Sequence, residues 1–172
     1  KNINVSRLFP SSVKMEVVFR DPAAILISLK NKEATNSSLL NNIATPSAEQ
    51  IKDFYVSDNE GITFSKDING LNIPKVYLYD LSISMGKTEN DLVQNSLKIL
   101  DKIKTLGIKA EDSLIKDVFL IINPFIGEPK IIFRLNGKND IQIASLQLIL
   151  IEAKINEETL GFIDLRFDKP VV

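Results

Sequence analysis

The sequence predicts an α+β fold in which a short N-terminal hairpin precedes a mostly antiparallel β domain with two helices. Short runs of alternating apolar and polar residues, bounded by turn residues, predict the strands. Two longer stretches repeat apolar residues at the spacing of a helix. The composition agrees, because 44% of the 172 residues are hydrophobic and 25% are charged, which is ordinary for a folded globular protein.

The N-terminal part contains two predicted strands, over residues 13–20 and 24–30. Asp21-Pro22 between them is typical of a turn, so the two strands are predicted to pair as a hairpin. The stretch that follows, residues 35–50, is polar and rich in turn-forming residues, which predicts a linker or loop.

A second hairpin is predicted where residues 54–56 and 62–64 flank the turn-forming sequence DNEG at residues 58–61. A further strand is predicted over residues 76–79.

The first helix is predicted between Thr88 and Gly107. Thr88 is a suitable N-cap, with Asp91 three residues later as a variant of the capping box. Gly107 fits the C′ position, where a helix commonly ends. Between them the apolar residues recur at helical spacing, namely Leu92, Val93, Leu97, Leu100, Ile103 and Leu106.

The C-terminal half is predicted to begin with a three-stranded meander over residues 118–122, 130–135 and 141–143, with an Asn-Gly turn at 136–137. Residues 144–155 predict a second helix. It is apolar on more than half of its surface, so we expect it to be well buried.

The composition excludes several kinds of function. The chain contains neither histidine nor cysteine, so no Ser-His-Asp or Cys-His nucleophile and no usual transition-metal ligand set can form. A net charge of -1 provides no electrostatic footprint for nucleic acid or for an anionic membrane surface. We therefore expect no enzymatic activity, no cofactor and no metal ion.

Two short motifs share letters with nucleotide-binding sequences and are interpreted as turns. SMGKT at residues 84–88 ends like a phosphate loop, but Leu81 stands where the first glycine of that loop would be required. DNEG at residues 58–61 matches the DxxG of GTPase switch loops in letters only, and an ordinary turn explains it.

The last predicted strand, over residues 162–167, carries the candidate binding site. We expect it at or near a sheet edge, where its backbone groups are open to a partner strand. Its alternation would turn Arg166 to a solvated charged face, to bind a partner carboxylate, and Phe167 to the apolar face as an anchor. A half-buried terminal strand with no partner explains the same pattern. The candidate partner-binding residues are Ile163, Asp164, Leu165, Arg166, Phe167, Asp168 and Lys169.

Four stretches resemble the extracytoplasmic part of the bacterial cell-division family FtsQ/DivIB. Residues 9–27, which include FPSSVKMEV, FRDP and ILI, resemble the closing hairpin of that family's POTRA domain. Residues 54–64 are similar to the DxxGxxF hairpin that opens its β domain, and LNIP at 71–74 to the Pro-containing segment after it. IDLRF at 163–167 resembles the C-terminal IDLRY signature, with Phe167 in place of the commoner tyrosine.

The resemblance implies a partial POTRA-like domain over residues 1–33 and an FtsQ/DivIB-type β domain over residues 34–172. It also implies a single-pass protein of the cytoplasmic membrane, with an apolar anchor helix of ~20 residues upstream of Lys1 and with this region outside the membrane. The implied role is a non-enzymatic divisome scaffold that binds FtsB- and FtsL-like proteins by strand addition during septum formation. Arg166 and Phe167 match positions that contact the partner strand in that family.

Two alternatives remain open on the sequence. A POTRA-type envelope module, which handles secreted or outer-membrane polypeptides by strand addition, would need further POTRA repeats upstream. A small hydrolase or nucleotide-binding enzyme would have to work without histidine, cysteine or a complete phosphate loop.

Overall fold

The computed structural model describes residues 2–8, 12–30, 46–79, 81–124, 127–167 and 169–172. It shows a mixed nine-stranded sheet, two helices and a separate two-stranded hairpin, which confirms the predicted α+β class. The helices are α1 (Asp91–Thr105) and α2 (Asn139–Ile155), with a short 3-10 helix at Ala48–Gln50. The strands are β1 (Asn2–Leu8), β2 (Ser12–Val18), β3 (Ala24–Leu29), β4 (Ile51–Ser57), β5 (Ile62–Ser65), β6 (Lys75–Tyr79), β7 (Gly86–Lys87), β8 (Ala110–Lys116), β9 (Phe119–Pro124), β10 (Lys130–Arg134) and β11 (Phe162–Asp164).

The large sheet has the strand order β11-β10-β9-β8-β6-β3-β4-β5-β7. Neighbouring strands are parallel at β3–β6, β6–β8 and β10–β11, and antiparallel at the other junctions. The sheet is therefore mostly antiparallel, as predicted. Its two edge strands are β7 and β11, and both are very short.

The predicted N-terminal hairpin is wrong in its pairing. β2 pairs with β1 through seven residues, from Asn2↔Val18 to Leu8↔Ser12, and β3 pairs with β4 and β6 instead. All six residues of β3 are buried, which is the pattern of a central strand covered on both faces. Such a strand needs a neighbour on each side, and β4 and β6 supply them. The Asp21-Pro22 segment leads into the sheet without reversing the chain onto β2.

The predicted boundary between residues 33 and 34 lies outside the described residues. The strand before it, β3, is hydrogen-bonded to two strands that follow it in the chain, β4 and β6. The hydrogen-bonded sheet therefore includes residues from both sides of the predicted boundary.

The main core lies between one face of the sheet and the two helices. α1 buries Val93, Leu97, Leu100 and Ile103 there, and α2 adds Leu146, which is fully buried. Every second residue of the strands points to this cluster. The intervening residues point to the other face of the sheet and form a second buried cluster, which includes Ile25, Ile27, Tyr77, Leu114 and Ile132. Burial on both faces explains why so many strands are continuous apolar runs.

The ends of α1 show one confirmed and one incorrect prediction. Gly107 lies at the C′ position with φ +84°, and the N–H groups of Gly107 and Ile108 donate to Lys104 and Ile103 as in a Schellman motif. The N-cap is Asn90 and not Thr88, because the Asn90 side chain accepts hydrogen bonds from Leu92 N (3.0 Å) and Val93 N (3.2 Å). A cap of this kind contributes about 1 kcal/mol.

The predicted meander is also wrong in part. Its first two strands overlap β9 and β10, but residues 141–143 form the first turn of α2, which begins at Asn139. β8 lies before the predicted meander and was not predicted, because its first half carries Glu111 and Asp112. Acidic residues are uncommon in strands, so a pattern search places them in loops.

The expectation that α2 is well buried is wrong for one of its faces. Ile143 and Leu146 face the core, whereas Leu148, Ile151 and Ile155 are more than half exposed. Among the residues described, neither helix combines the length and the apolar character that crossing a bilayer requires.

Candidate partner-binding edge

β11 lies at one edge of the nine-stranded sheet, as the sequence predicted for this strand. It pairs in parallel with β10, and the Leu165 N–H extends the ladder by donating to the Ile132 carbonyl at 2.8 Å. α2 makes the connection between these two strands, as parallel neighbours require. The other flank of β11 faces away from the sheet.

The C-terminal residues turn back along part of this outer flank. The Asp164 N–H donates to the Val171 carbonyl at 2.8 Å, and the Val171 N–H donates to the Asp164 carbonyl at 3.1 Å. The strand predicted over residues 162–167 therefore ends at Asp164, and the outward backbone groups of Asp164 are already paired within the chain. An added strand cannot use them without displacing Val171.

The groups that remain on the outer flank belong to Phe162 and Val172. Backbone groups of successive strand residues alternate in direction, so those of Phe162 point to the same side as those of Asp164. By the same alternation the Val172 N–H points away from Asp164. No backbone partner for either group is found in the part of the chain that the structure describes. The open edge consists of Phe162 and of the outer side of the Val171–Val172 segment.

Asp164 and Arg166 form a tight pair on one face of this edge. The Arg166 Nε lies 2.9 Å from Asp164 Oδ1, and Nη2 lies 2.6 Å from Oδ2, so the contact is bidentate. The side chains are only 7% and 21% exposed. For Asp164 and Arg166 the expected solvated charged face is therefore wrong, because the two charges pair with each other and both side chains are mostly buried.

Two aromatic rings, those of Phe119 and Phe167, contact the Arg166 guanidinium. Its central carbon lies 5.1 Å from the centroid of Phe119 and 5.4 Å from that of Phe167, within the range of cation–π contacts. Phe167 itself is 58% exposed, so it presents an apolar surface next to the open edge.

The structure divides the predicted site residues into three groups. Ile163 and Leu165 are buried in the core and stabilise the edge from inside. Asp164 and Arg166 pair with each other, while Phe167 and Lys169 are exposed in the turn. Asp168 lies outside the described residues.

Sequence reasoning missed Val171 and Val172 as part of the edge. Both are exposed, by 49% and 61%, and Val171 forms the bridge to Asp164. The available signal was two adjacent β-branched residues directly after Pro170, which favour an extended segment.

The two motifs with nucleotide-binding letters have structural roles. Gly86 and Lys87 form β7, which pairs with β5, and the DNEG turn joins β4 to β5. Neither segment arranges its backbone N–H groups around a common centre, as a phosphate-binding loop does. Within the ranges that the structure describes, no group of acidic residues is arranged to hold a metal ion.

The fold defines the class of the protein: an α+β domain with the short strand β11 at one edge of its mixed sheet. No family model matches the chain, and none of the curated proteins matches it. The likeness to the FtsQ/DivIB family therefore depends on the motifs in the sequence.

Proposed function

We propose that this chain is the extracytoplasmic scaffold region of an FtsQ/DivIB-type cell-division protein of the cytoplasmic membrane. It performs no catalysis, and it recruits small FtsB- and FtsL-like bitopic proteins to the division site. The observation that carries the proposal is the position of β11 at the sheet edge, where Phe162 and the outer side of the Val171–Val172 segment have no backbone partner among the described residues.

Strand addition supplies the binding mode. An incoming strand would pair with the outer backbone N–H of Val172, while Val171 stays bonded to Asp164. Main-chain hydrogen bonds give affinity in this mode, and side-chain pockets give specificity. The exposed ring of Phe167 lies next to the edge and offers an apolar contact for one partner side chain.

Arg166 has a different role from the one expected. Its guanidinium is occupied by Asp164 and the two rings, so it positions the edge and does not offer a free fork to a partner. Arg166→Glu would place two carboxylates together at a nearly buried site and would disturb the edge itself. It is therefore a poor variant for testing the partner contact.

A matched pair of variants tests the edge. Val172→Pro removes the outward N–H and keeps an extended backbone, whereas Val172→Ala keeps the N–H and shortens the side chain. We expect Val172→Pro to weaken binding about fivefold, the effect of one hydrogen bond of about 1 kcal/mol, and Val172→Ala to bind nearly as the parent does. The measurement is calorimetric titration with the extracytoplasmic segment of the FtsB-like protein from the same genome.

The outcome that contradicts the proposal is equal affinity of the two Val172 variants, or no binding by the parent chain. A second test follows the full-length protein in dividing cells. A fluorescent fusion should collect at the septum, and its removal should leave the FtsB-like protein dispersed.

A further inference from the structure

α2 has two apolar faces, and among the residues that the structure describes only the inner one is packed into the core. The inner face is buried against the sheet, with Ile143 and Leu146 in the core. The outer face carries apolar residues that are exposed, by 58% at Ile141, 68% at Leu148, 56% at Ile151 and 75% at Ile155. We call it the outer stripe, and it consists of Ile141, Ala144, Leu148, Ile151 and Ile155.

The spacing of the outer stripe is that of a coiled-coil seam. Its positions are separated by three, four, three and four residues, which is the a/d repeat of a heptad. The neighbouring helix α1 has an exposed face with Lys98, Asp101 and Lys102, as a solvated helix normally does. The stripe on α2 is therefore a surface suited to another helix.

Charges at the two ends of α2 favour a second copy of the same helix in antiparallel orientation. The exposed Lys138 precedes the first turn, whose Asp140 is paired with Lys102 of α1, and the exposed Glu157 and Glu158 follow the last turn. Antiparallel packing brings Lys138 of each copy near the two glutamates of the other, and it also aligns the helix dipoles favourably. Parallel packing would instead bring like charges together at both ends.

We propose that the outer stripe is a homodimer interface in which two α2 helices pack antiparallel about a two-fold axis between Leu148 and Ile151. In this register Leu148 faces Ile151 of the other copy and the small Ala144 faces Ile155. Ile141 lies opposite Glu158, just beyond the last turn of the other helix. The interface is isologous, so one surface serves both copies and the assembly stops at two.

The size of the stripe sets the strength of this association. It is about 21 Å long, from a rise of about 1.5 Å per residue. One helix face of this length buries less than the roughly 800 Å² per partner of a standard interface. We therefore expect a weak dimer that dissociates on dilution. The outer stripe and the open edge at β11 share no residue, so substitutions can test the two surfaces separately.

Sedimentation equilibrium over a range of chain concentrations tests the proposal. The parent chain should shift toward twice the monomer mass as its concentration rises. Leu148→Glu should remain monomeric at concentrations at least tenfold above the parent's midpoint. The matched control is Met85→Glu, because Met85 is 62% exposed at the far end of the sheet, and it should dimerise as the parent does.

Two further measurements test the orientation. Lys138→Glu should weaken the dimer severalfold, and combining it with Glu157→Lys and Glu158→Lys should restore it. Because the chain has no cysteine, single cysteines report proximity without background. A cysteine at Leu148 should cross-link to its copy, and a cysteine at Ile155 should not.

Each contrary outcome overturns the proposal. A parent chain that stays monomeric, or a Leu148→Glu variant that dimerises normally, removes the homodimer. Efficient cross-linking at Ile155 indicates parallel packing. If the parent is monomeric but sediments with phosphatidylethanolamine–phosphatidylglycerol vesicles and Leu148→Glu does not, the stripe is a lipid-facing surface.

Discussion

The guanidinium of Arg20 donates to the carboxylate of Asp58, which joins two motifs that are 38 residues apart in the chain. The same carboxylate accepts hydrogen bonds from the backbone N–H groups of Glu60 (3.0 Å) and Ile62 (2.8 Å). Asp58 thus holds the turn between β4 and β5 and connects it to the segment that leads into β3. Both motifs belong to the resemblance with FtsQ/DivIB, and in this chain their contact is structural.

Replacing Asp58 should therefore destabilise the fold. We expect Asp58→Ala to lower the free energy of unfolding by about 2 kcal/mol, because two backbone donors of the turn lose their acceptor. Glu60→Ala is the matched control, since Glu60 is 72% exposed and lies 3.5 Å from Arg20. Urea denaturation should show a change within about 0.5 kcal/mol for the control. Equal effects of the two variants would show that Asp58 does not hold the turn.

Glycine should be favoured at the C′ positions of both helices. Glu157 occupies the C′ position of α2 with φ +58°, a conformation that glycine adopts without strain. Glu157→Gly should raise the free energy of unfolding by up to about 1 kcal/mol, and the unfolding temperature should rise with it. Gly107→Ala should cost about 1 kcal/mol at the end of α1, although no atom lies within 4 Å of the added Cβ. A loss in both variants would contradict this account.

Gln142 stabilises the C-terminal end of β10, at Arg134, where β10 is no longer paired with β11. Its side-chain oxygen accepts from Arg134 N at 2.8 Å, and its side-chain nitrogen donates to Arg134 O at 2.9 Å. Gln142→Ala should lower the free energy of unfolding by roughly 1–2 kcal/mol, because two backbone groups of Arg134 lose their partner at a partly buried position. Gln147→Ala, an exposed change on the same helix, should have almost no effect. Comparable losses in the two variants would exclude this role for Gln142.

Burial raises the pKa of the Tyr77 hydroxyl to about 12, and the charge of Asp112 adds to the effect. The folded state therefore keeps this proton at a pH where the unfolded chain, with a pKa near 10, has lost it. Stability should fall as pH rises from about 10 toward 12. Tyr77→Phe should remove this part of the alkaline loss, as followed by circular dichroism. An unchanged alkaline slope in Tyr77→Phe would refute the assignment.

The absorbance of ionised tyrosine gives a second measurement of the same group. The chain has three tyrosines, so one late step in the titration should disappear in Tyr77→Phe. In Asp112→Asn that step should move to lower pH, since Asp112 no longer repels the tyrosinate.

Features that depend on a few adjacent residues could be predicted from the sequence. The DNEG turn and the C′ glycine of α1 are of this kind, because the backbone conformation of a turn depends on the residues within it. The α+β class was also predictable from the alternation and helical spacing of the apolar residues.

Features that depend on distant parts of the chain could not be predicted in the same way. β3 pairs with β4 and β6 because it is buried on both faces of the sheet. The residues around Asp21-Pro22 alone are equally compatible with a hairpin between β2 and β3. The three residues 141–143 alternate as a strand would, yet their helix is set by α2 as a whole. At the candidate edge the terminal position of β11 was predictable, but the Asp164–Val171 bridge depends on a turn that brings the chain back.

The central position of β3 has a consequence for how this protein could be divided. A chain that lacked residues 1–30 would keep β4, β5 and β7 on one side and β6 and β8–β11 on the other, with no strand to join them. The two fragments 1–30 and 31–172 should therefore fail to bind the partner when separate. They should regain binding when mixed, as in split-protein complementation. Partner binding at the C-terminal edge would then depend on the insertion of β3, which comes from the other end of the chain.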